Sequence, residues 1–327
     1  MINFSDPHTR YLIDYANIKQ GLIKHQSDFL SKKEFNLFLK NSHLGCPLVL
    51  PFGIKYFNYS NIKEEFYISK KKVTHKIFST KKKNYIGVKI FFKFGRKFCT
   101  GATLKKKYLP LLNSIIKSNK SLISLIKKYK YKKKVASFQT RNIPHLGHEL
   151  IIQRLFHNNK IVCINPLIGL KKKGDCRNNV LEIIFKYLAR LKMYKSRVFY
   201  KPLISNMNYA GPREALHHAY VREKIGFDFF AVGRDHAGAE NIYPPLNSTN
   251  FIKKNRKRLK IKIFFHKGAY FCDKCKKILL RGDCKHKSLN EISGTEFRKK
   301  IMTKTNFIHA SSNLQNYLKK IKTKLFY

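Results

Sequence analysis

A chain of 327 residues, 43% hydrophobic and 13% aromatic, can bury a sizeable core, so it is not a wholly disordered polycation despite a formal charge of +51. No run of about 18 apolar residues is present, which argues against a membrane-spanning helix, and the first twenty residues, interrupted by Asp6 and Asp14, lack the charged head and apolar centre of a secretory signal. Seven cysteines, three of them between positions 272 and 284, fit metal binding in a reducing, cytoplasmic setting better than a disulfide framework.

Residues 1–130 are expected to form a mostly β module, because Glu65 to Phe98 mixes Phe, Ile, Val and Tyr with Lys in irregular alternation, as half-buried strands do. An amphipathic helix is expected near Phe29 to Leu39 and a basic one near Leu122 to Lys128. From Lys133 the periodicity changes. Val135 to Phe138, Ile161 to Asn165, Arg197 to Tyr200 and Phe227 to Val232 read as short strands. Pro144 to Phe156, Val180 to Leu191 and Pro212 to Lys224 read as the helices between them. Three strand–helix steps in succession predict a parallel sheet with helices on both faces. Ligands in such sheets sit beyond the carboxyl ends of the strands, which is where the polar motifs fall. Residues 291–327 read as a small helical tail.

The charge is a weak guide to function. Lys supplies 55 of the 69 basic residues, Trp is absent, and Asn, Ile, Phe and Tyr are plentiful. Those residues have A- and T-rich codons, so solvated lysine faces in a biased composition account for most of the charge, and no nucleic-acid partner is required.

The first chemical motif is Gln139-Thr140-Arg141-Asn142 at the end of a strand, followed by Pro144-His145-Leu146-Gly147-His148 at the start of a helix. Pro144 suits a first helical turn. His145 and His148, three apart, lie on one face at the positive end of that helix, where unpaired backbone N–H groups and two imidazoles make a phosphate cradle. Gly147 would let a ligand come close to the backbone. The plain alternative is two surface histidines on an amphipathic helix.

His-x-Gly-His after a first strand resembles the nucleotidyltransferase superfamily, which includes the class I aminoacyl-tRNA synthetases. Further segments point to one branch: Tyr209-Ala210-Gly211-Pro212-Arg213-Glu214-Ala215, Val232-Gly233-Arg234-Asp235-His236-Ala237-Gly238, Asn165-Pro166-Leu167-Ile168-Gly169 with Gly174-Asp175, and Ile292-Ser293-Gly294-Thr295-Glu296-Phe297-Arg298. In this order the segments resemble the ATP sulfurylase (sulfate adenylyltransferase) family, densely from about Lys133 to Lys300 and faintly before that.

The resemblance implies a Rossmann-like α/β nucleotidyltransferase domain over 131–290, a PUA-like β-rich domain over 1–130, and homo-oligomeric assembly. It implies transfer of the adenylyl group of MgATP to sulfate, giving adenylyl sulfate and pyrophosphate. By motif, Gln139, Arg141 and the Ala237 N–H would hold sulfate, and Thr140, Arg141 and Asn142 would line the reacting centre. His145 and His148 would stabilise the transition state through the phosphates. ATP would be bound by Gln139, Arg141, His145, His148, Gly233, Arg234, Asp235 and His236. Arg213 and Asp235 would also fix loop geometry, and Arg298 would close over the nucleotide. Three features depart from the family: Leu146 stands where a basic residue is usual, Pro7-His8-Thr9-Arg10 where the family has Pro-His-Gly-Gly, and Ala239 to Asn250 reads as an ordinary polar loop.

Cys272-x2-Cys275-x8-Cys284-x-His286 has the ligand types and spacing of a tetrahedral zinc knuckle, and its setting resembles a cysteine-rich insertion of one bacterial branch of the family. Four protein ligands leave no open position, so the zinc would be structural. Two other functions account for part of the sequence. A class I synthetase would use the histidine box with Lys192-Met193-Tyr194-Lys195-Ser196 as its second signature. A non-enzymatic zinc-ribbon nucleic-acid-binding module would leave the Gln-Thr-Arg-Asn and Gly-Arg-Asp-His boxes without a purpose.

Overall fold

The computed structural model describes residues 2–157, 160–321 and 324–327. Its amino-terminal part contains, in order, α1 (Thr9–Lys19), α2 (Lys32–Lys40), β1 (Leu50–Pro51), β2 (Phe57–Asn58), β3 (Glu64–Tyr67), α3 (Lys70–Lys76), α4 (Ile86–Phe91), β4 (Lys97–Thr100), β5 (Thr103–Leu104) and α5 (Leu109–Lys130). The expected mostly β module is therefore corrected to a mixed one in which helix outweighs strand. Only the ends of the Glu65–Phe98 stretch pair as strands, β4 lying between β1 and β3. The middle turns helical because Ser69 caps α3 by accepting from the Lys72 N–H at 3.3 Å, and because Val73, Phe78, Tyr85 and Val88 have a common interior to fill. The basic helix expected near Leu122 is the last third of the 22-residue α5, which buries Leu112, Ile115, Leu122 and Ile126 along one stripe.

The second part begins with β6 (Lys134–Phe138) and continues through α6 (Leu146–Phe156), β7 (Lys160–Ile164), α7 (Asn178–Arg190), β8 (Val198–Tyr200), α8 (Gly211–Ile225), β9 (Phe229–Val232), α9 (Asn247–Lys254) and β10 (Lys262–Phe265). Beyond these lie β11 (Ala269–Cys272), β12 (Lys277–Leu280), β13 (Leu289–Glu291), α10 (Gly294–Met302) and α11 (Ser312–Lys320). Every strand expected here is present, in a five-stranded sheet of order β10-β9-β6-β7-β8 whose neighbours all run parallel. The order reverses direction between β6 and β9, and the crevice at their carboxyl ends is where such a sheet takes a ligand.

One face of the sheet packs on α6, α7 and the carboxyl-terminal segments around Ile151, Ile184, Phe185 and Leu314. The other packs on α8, and a continuous apolar cluster runs from there through α5 to α1, from Tyr11 to Ile261. Polar contacts cross the same boundary. Asn119 on α5 donates to Asn17 Oδ1 at 2.9 Å and accepts from the Ile204 N–H at 3.0 Å, and Asn206 donates to Asp14 Oδ1 at 2.7 Å. Helix α8 is buried along nearly its whole length, so its polar side chains must find partners inside the protein. No helix among the described residues is long and apolar enough to cross a membrane.

Candidate active site

A cleft of about 820 Å³ opens at the carboxyl ends of β6 and β9. Gln139, Thr140, Arg141, Asn142, His145 and His148 line one side of it, and Gly233, Arg234, Asp235, His236 and Ala237 the other. Segments nearly a hundred residues apart thus meet because their strands are neighbours in the sheet.

The histidine box is built by the start of α6. The helix begins at Leu146, not Pro144, with His145 as its cap: its Nδ1 accepts from the Gly147 N–H at 3.1 Å. The His145 N–H in turn donates to His148 Nδ1 at 3.3 Å. Both Nδ1 atoms are therefore acceptors, which leaves the hydrogen of each ring on Nε2. Burial, with His148 beside it, pulls His145 far below the ordinary imidazole range, and burial lowers His148 to about 4. Both rings are neutral donors at physiological pH. Gly147 serves packing more than ligand approach, since a Cβ there would lie 2.7 Å from Ala269 Cβ and 2.9 Å from the His145 ring.

Arg141 reaches across the cleft to donate from Nη2 to the Gly238 carbonyl. Its Nε lies 3.9 Å from Asp175 Oδ1, and its Nη1 is buried with no acceptor. Thr140 Oγ1 accepts from the Asn142 N–H at 3.1 Å, tightening the turn. Gln139 packs beneath them, its Nε2 3.3 Å from His218 Nδ1, and its Oε1 has no partner.

Behind Gln139 lies a chain of buried groups. His218 Nδ1 is 3.1 Å from His236 Nε2, while His218 Nε2 lies 3.2 Å from Glu214 Oε1 without hydrogen-bond alignment. Glu214 accepts instead from the N–H groups of Asn208 and Ala210 at 2.7 and 2.8 Å. Burial raises its pKa and depresses those of His218 and His236.

On the opposite rim, Gly233 lies against His266, where an added Cβ would meet the ring at 2.8 Å. Ala237 holds a left-handed φ of 61°, and its carbonyl accepts from the Gly211 N–H at 3.1 Å. Arg234 is engaged by Asp235 at 3.0 Å and by Glu291, so a phosphate there would have to draw it away from Glu291. Ser293, Gly294, Thr295 and Arg298 cover the far end, Arg298 donating to the Gly174 carbonyl at 2.7 Å. Residues 239–250 are not an ordinary polar loop. Tyr243 packs against Gly211 and donates to the Phe78 carbonyl at 2.9 Å, and Asn247 starts a helix.

Sequence reasoning missed Lys171, Tyr209, His218 and His266 as site groups. Tyr209 stands at the head of a quoted motif without a role, His218 lies three residues beyond that motif on the same helix, and Lys171 was hidden in a Lys171-Lys172-Lys173 run. Arg213 does fix loop geometry, through three carbonyls and no carboxylate. The Lys192–Ser196 pentapeptide lies outside the cleft lining, and its Tyr194 hydroxyl donates to Glu149 Oε2 at 2.9 Å in the interior.

The cysteine cluster lies apart, on the β11–β12 hairpin and the segment after it. The ligand atoms of Cys272, Cys275, Cys284 and His286 all lie within 4.8 Å of one another, and the Cys275 N–H donates to Cys272 Sγ at 3.4 Å. Three sulfurs and one imidazole converging in this way could hold a metal ion. Cys46, Cys99, Cys163 and Cys176 are buried and free.

A family model described as ATP-sulfurylase matches residues 115–309. A sulfate adenylyltransferase from Pyrococcus abyssi is 30% identical over 315 residues, covering 89% of this chain and 82% of that protein. One from Thermococcus onnurineus is 31% identical over 319 residues, with coverage of 89% and 82%. One from Ignicoccus hospitalis is 44% identical over 174 residues, covering 52% of this chain and 45% of that protein.

Proposed function

The chain belongs to the ATP-sulfurylase family, and from this we infer that its cleft is the active site of a sulfate adenylyltransferase: ATP and sulfate give adenylyl sulfate and pyrophosphate. One sulfate oxygen attacks the α-phosphorus, the bond from that phosphorus to the bridging oxygen breaks, and pyrophosphate leaves. Sulfate is already a dianion at neutral pH, so no group need take a proton from it. The barrier is the approach of two anions, and the protein's task is to position and neutralise them.

The observation that carries this function is the orphaned Nη1 of Arg141. A buried guanidinium N–H without an acceptor is unfavourable, and a tetrahedral oxyanion lying in the cleft would satisfy it with the paired geometry that Arg provides. Gln139 and the Ala237 N–H complete the sulfate pocket, and Thr140 and Asn142 line the reacting centre. The Nε2–H groups of His145 and His148 donate to the phosphates, which adds hydrogen bonds without the desolvation cost of a buried imidazolium. Gly233, Arg234, Asp235 and His236 form the nucleotide wall. Mg2+ arriving with ATP supplies neutralising charge on the phosphates. Cys272, Cys275, Cys284 and His286 fit a structural zinc site: the donor set is right and four ligands close the coordination sphere. Residues 131–290 would form the catalytic unit, with residues 1–130 packed against α8 behind it.

The synthetase alternative loses its support, because the pentapeptide it needs at the nucleotide lies outside the cleft lining, anchored by the buried Tyr194 with its other four residues exposed. The test is pyrophosphate release from ATP and magnesium with sulfate, or with molybdate as a futile substitute. Release that depends on the oxyanion and needs neither amino acid nor RNA is expected; release only with tRNA or an amino acid would overturn the assignment.

A further inference from the structure

Lys171 is a cation held inside the cleft with no carboxylate of its own. Its Nζ has one weak partner, the Cys176 carbonyl at 3.4 Å. The nearby acid, Asp175, is already taken: Lys172 Nζ lies 3.0 Å from it, Tyr209 Oη donates to it at 2.8 Å, and Arg141 Nε is 3.9 Å away. Burial pulls the Lys171 ammonium down to about 8, the response of a cation removed from water without a counter-ion.

The backbone holds it there. The loop after β7 is pinned before Lys171 by the Ile168 N–H donating to the Leu203 carbonyl at 3.0 Å, and by Gly169, where a Cβ would meet the Ser205 carbonyl and Asn206 Oδ1 at 2.5 Å. Just after it, the Lys172 N–H donates to Tyr209 Oη at 3.1 Å. The backbone is thus fixed on both sides of Lys171, and its side chain enters the cleft from a set position. Cys176, whose carbonyl accepts from Lys171 Nζ, donates its own backbone N–H to the Arg141 carbonyl at 3.3 Å, so the ammonium stands at the Arg141 end of the cleft.

We propose that Lys171 is a second cationic ligand of sulfate, sharing the dianion with Arg141. This rests on the sulfate adenylyltransferase function above and adds to it a binding residue that lies outside the family motifs. A dianion between two cations neutralises both charges, and it supplies the acceptor that Lys171 otherwise lacks.

Initial rates of pyrophosphate release with saturating MgATP and varied sulfate test this in wild type, Lys171→Met and Lys171→Arg, with melting curves checking the fold. The methionine variant should raise the sulfate KM about ten-fold or more and leave the ATP KM within about two-fold, while arginine recovers most of the loss. An unchanged sulfate KM, or a rise confined to ATP or to pyrophosphate in the reverse direction, would overturn the assignment. A second measurement needs no turnover. Sulfate, with α,β-methylene ATP present, should protect Lys171 from acetic anhydride in peptide mass spectra, and chloride at equal ionic strength should not; equal labelling under both salts would also overturn it. A wild type that turns over normally beside an indifferent Lys171→Met variant defeats this inference alone, whereas a wild type without sulfate-dependent release defeats the function on which it rests.

Discussion

The Arg141 guanidinium carbon lies 5.4 Å from the centroid of the Tyr209 ring. Tyr209 is fully buried and held at a left-handed φ of 58°, a conformation that costs energy for a bulky residue and persists only when its surroundings fix it. They do so through the hydroxyl, which donates to Asp175 and accepts from the Lys172 N–H. Tyr209 thus sets both the face on which Arg141 rests and the acid beside it, as a positioning residue. Tyr209→Phe should raise the sulfate KM by about three- to ten-fold, the worth of roughly one hydrogen bond, with the ATP KM unmoved. Arg141→Ala should lower kcat by about 10² to 10³, as for loss of an oxyanion donor, with an unchanged melting curve. Near-normal turnover in the alanine variant would remove Arg141 from the site.

Buried imidazoles, in the cleft and on α8 behind it, give the protein an acid limit. Burial is the first cause of the lowered pKa at His148 and His266, both to about 4, and at His217, to about 3. A base whose pKa falls on folding binds protons better in the unfolded chain, so acid favours unfolding. Stability should be full above the ordinary value of 6.5 and decline as the pH falls toward about 4. For His148 alone the full shift corresponds to about 3 kcal/mol. Melting temperature measured against pH checks this, and His148→Asn should flatten the decline. ATP should oppose it, because phosphates beside His145 and His148 favour their charged forms; binding at about pH 6 should then take up protons, seen as a buffer-dependent calorimetric enthalpy.

The ligand cluster lies on the hairpin whose Ala269 abuts Gly147, so losing the ion should loosen the support of α6 as well as the knuckle. One zinc per chain is expected by elemental analysis, and a strong chelator or Cys275→Ser should lower the melting temperature. Sulfate and ATP KM values should change less than stability does. Metal-free protein with an unaltered melting curve would end the proposal of a structural zinc.

How much the sequence disclosed follows from where the information sits. Val135–Phe138 and Ile161–Ile164 are short apolar runs buried on both faces, and these signal a parallel strand locally. The oxyanion and histidine boxes are equally legible, because each is contiguous and lies at a strand end. Of the amino-terminal helices, α2 and the end of α5 were legible, but α3 and α4 were not, since lysines interrupt their apolar spacing and only the shared interior decides the matter. Lys171 could not be told from its two neighbours, because what distinguishes it is a partner it lacks, and that is visible only once Asp175, Lys172 and Tyr209 are seen together. Gly147 misled for a similar reason: the contact that demands a glycine comes from Ala269, far along the chain.

Support and chemistry separate at Arg213. Arg213 on α8 is buried and donates to the carbonyls of Gly45, Phe38 and Lys76, so one guanidinium ties three amino-terminal segments to the helix behind Gln139. Burial lowers its pKa to about 10, which leaves it charged. Arg213→Met should leave three carbonyls, two of them buried, without this donor and lower stability by about 2 to 4 kcal/mol. Arg213→Lys should recover little, because an ammonium cannot span three acceptors held by a planar fork. Arg213 does not line the cleft, so at a temperature where the variant is folded its turnover should stay within about three-fold of wild type, roughly the limit for a change not felt in the transition state. A collapse of kcat in a variant that melts normally would mean instead that the amino-terminal segments act on the reacting centre through this arginine.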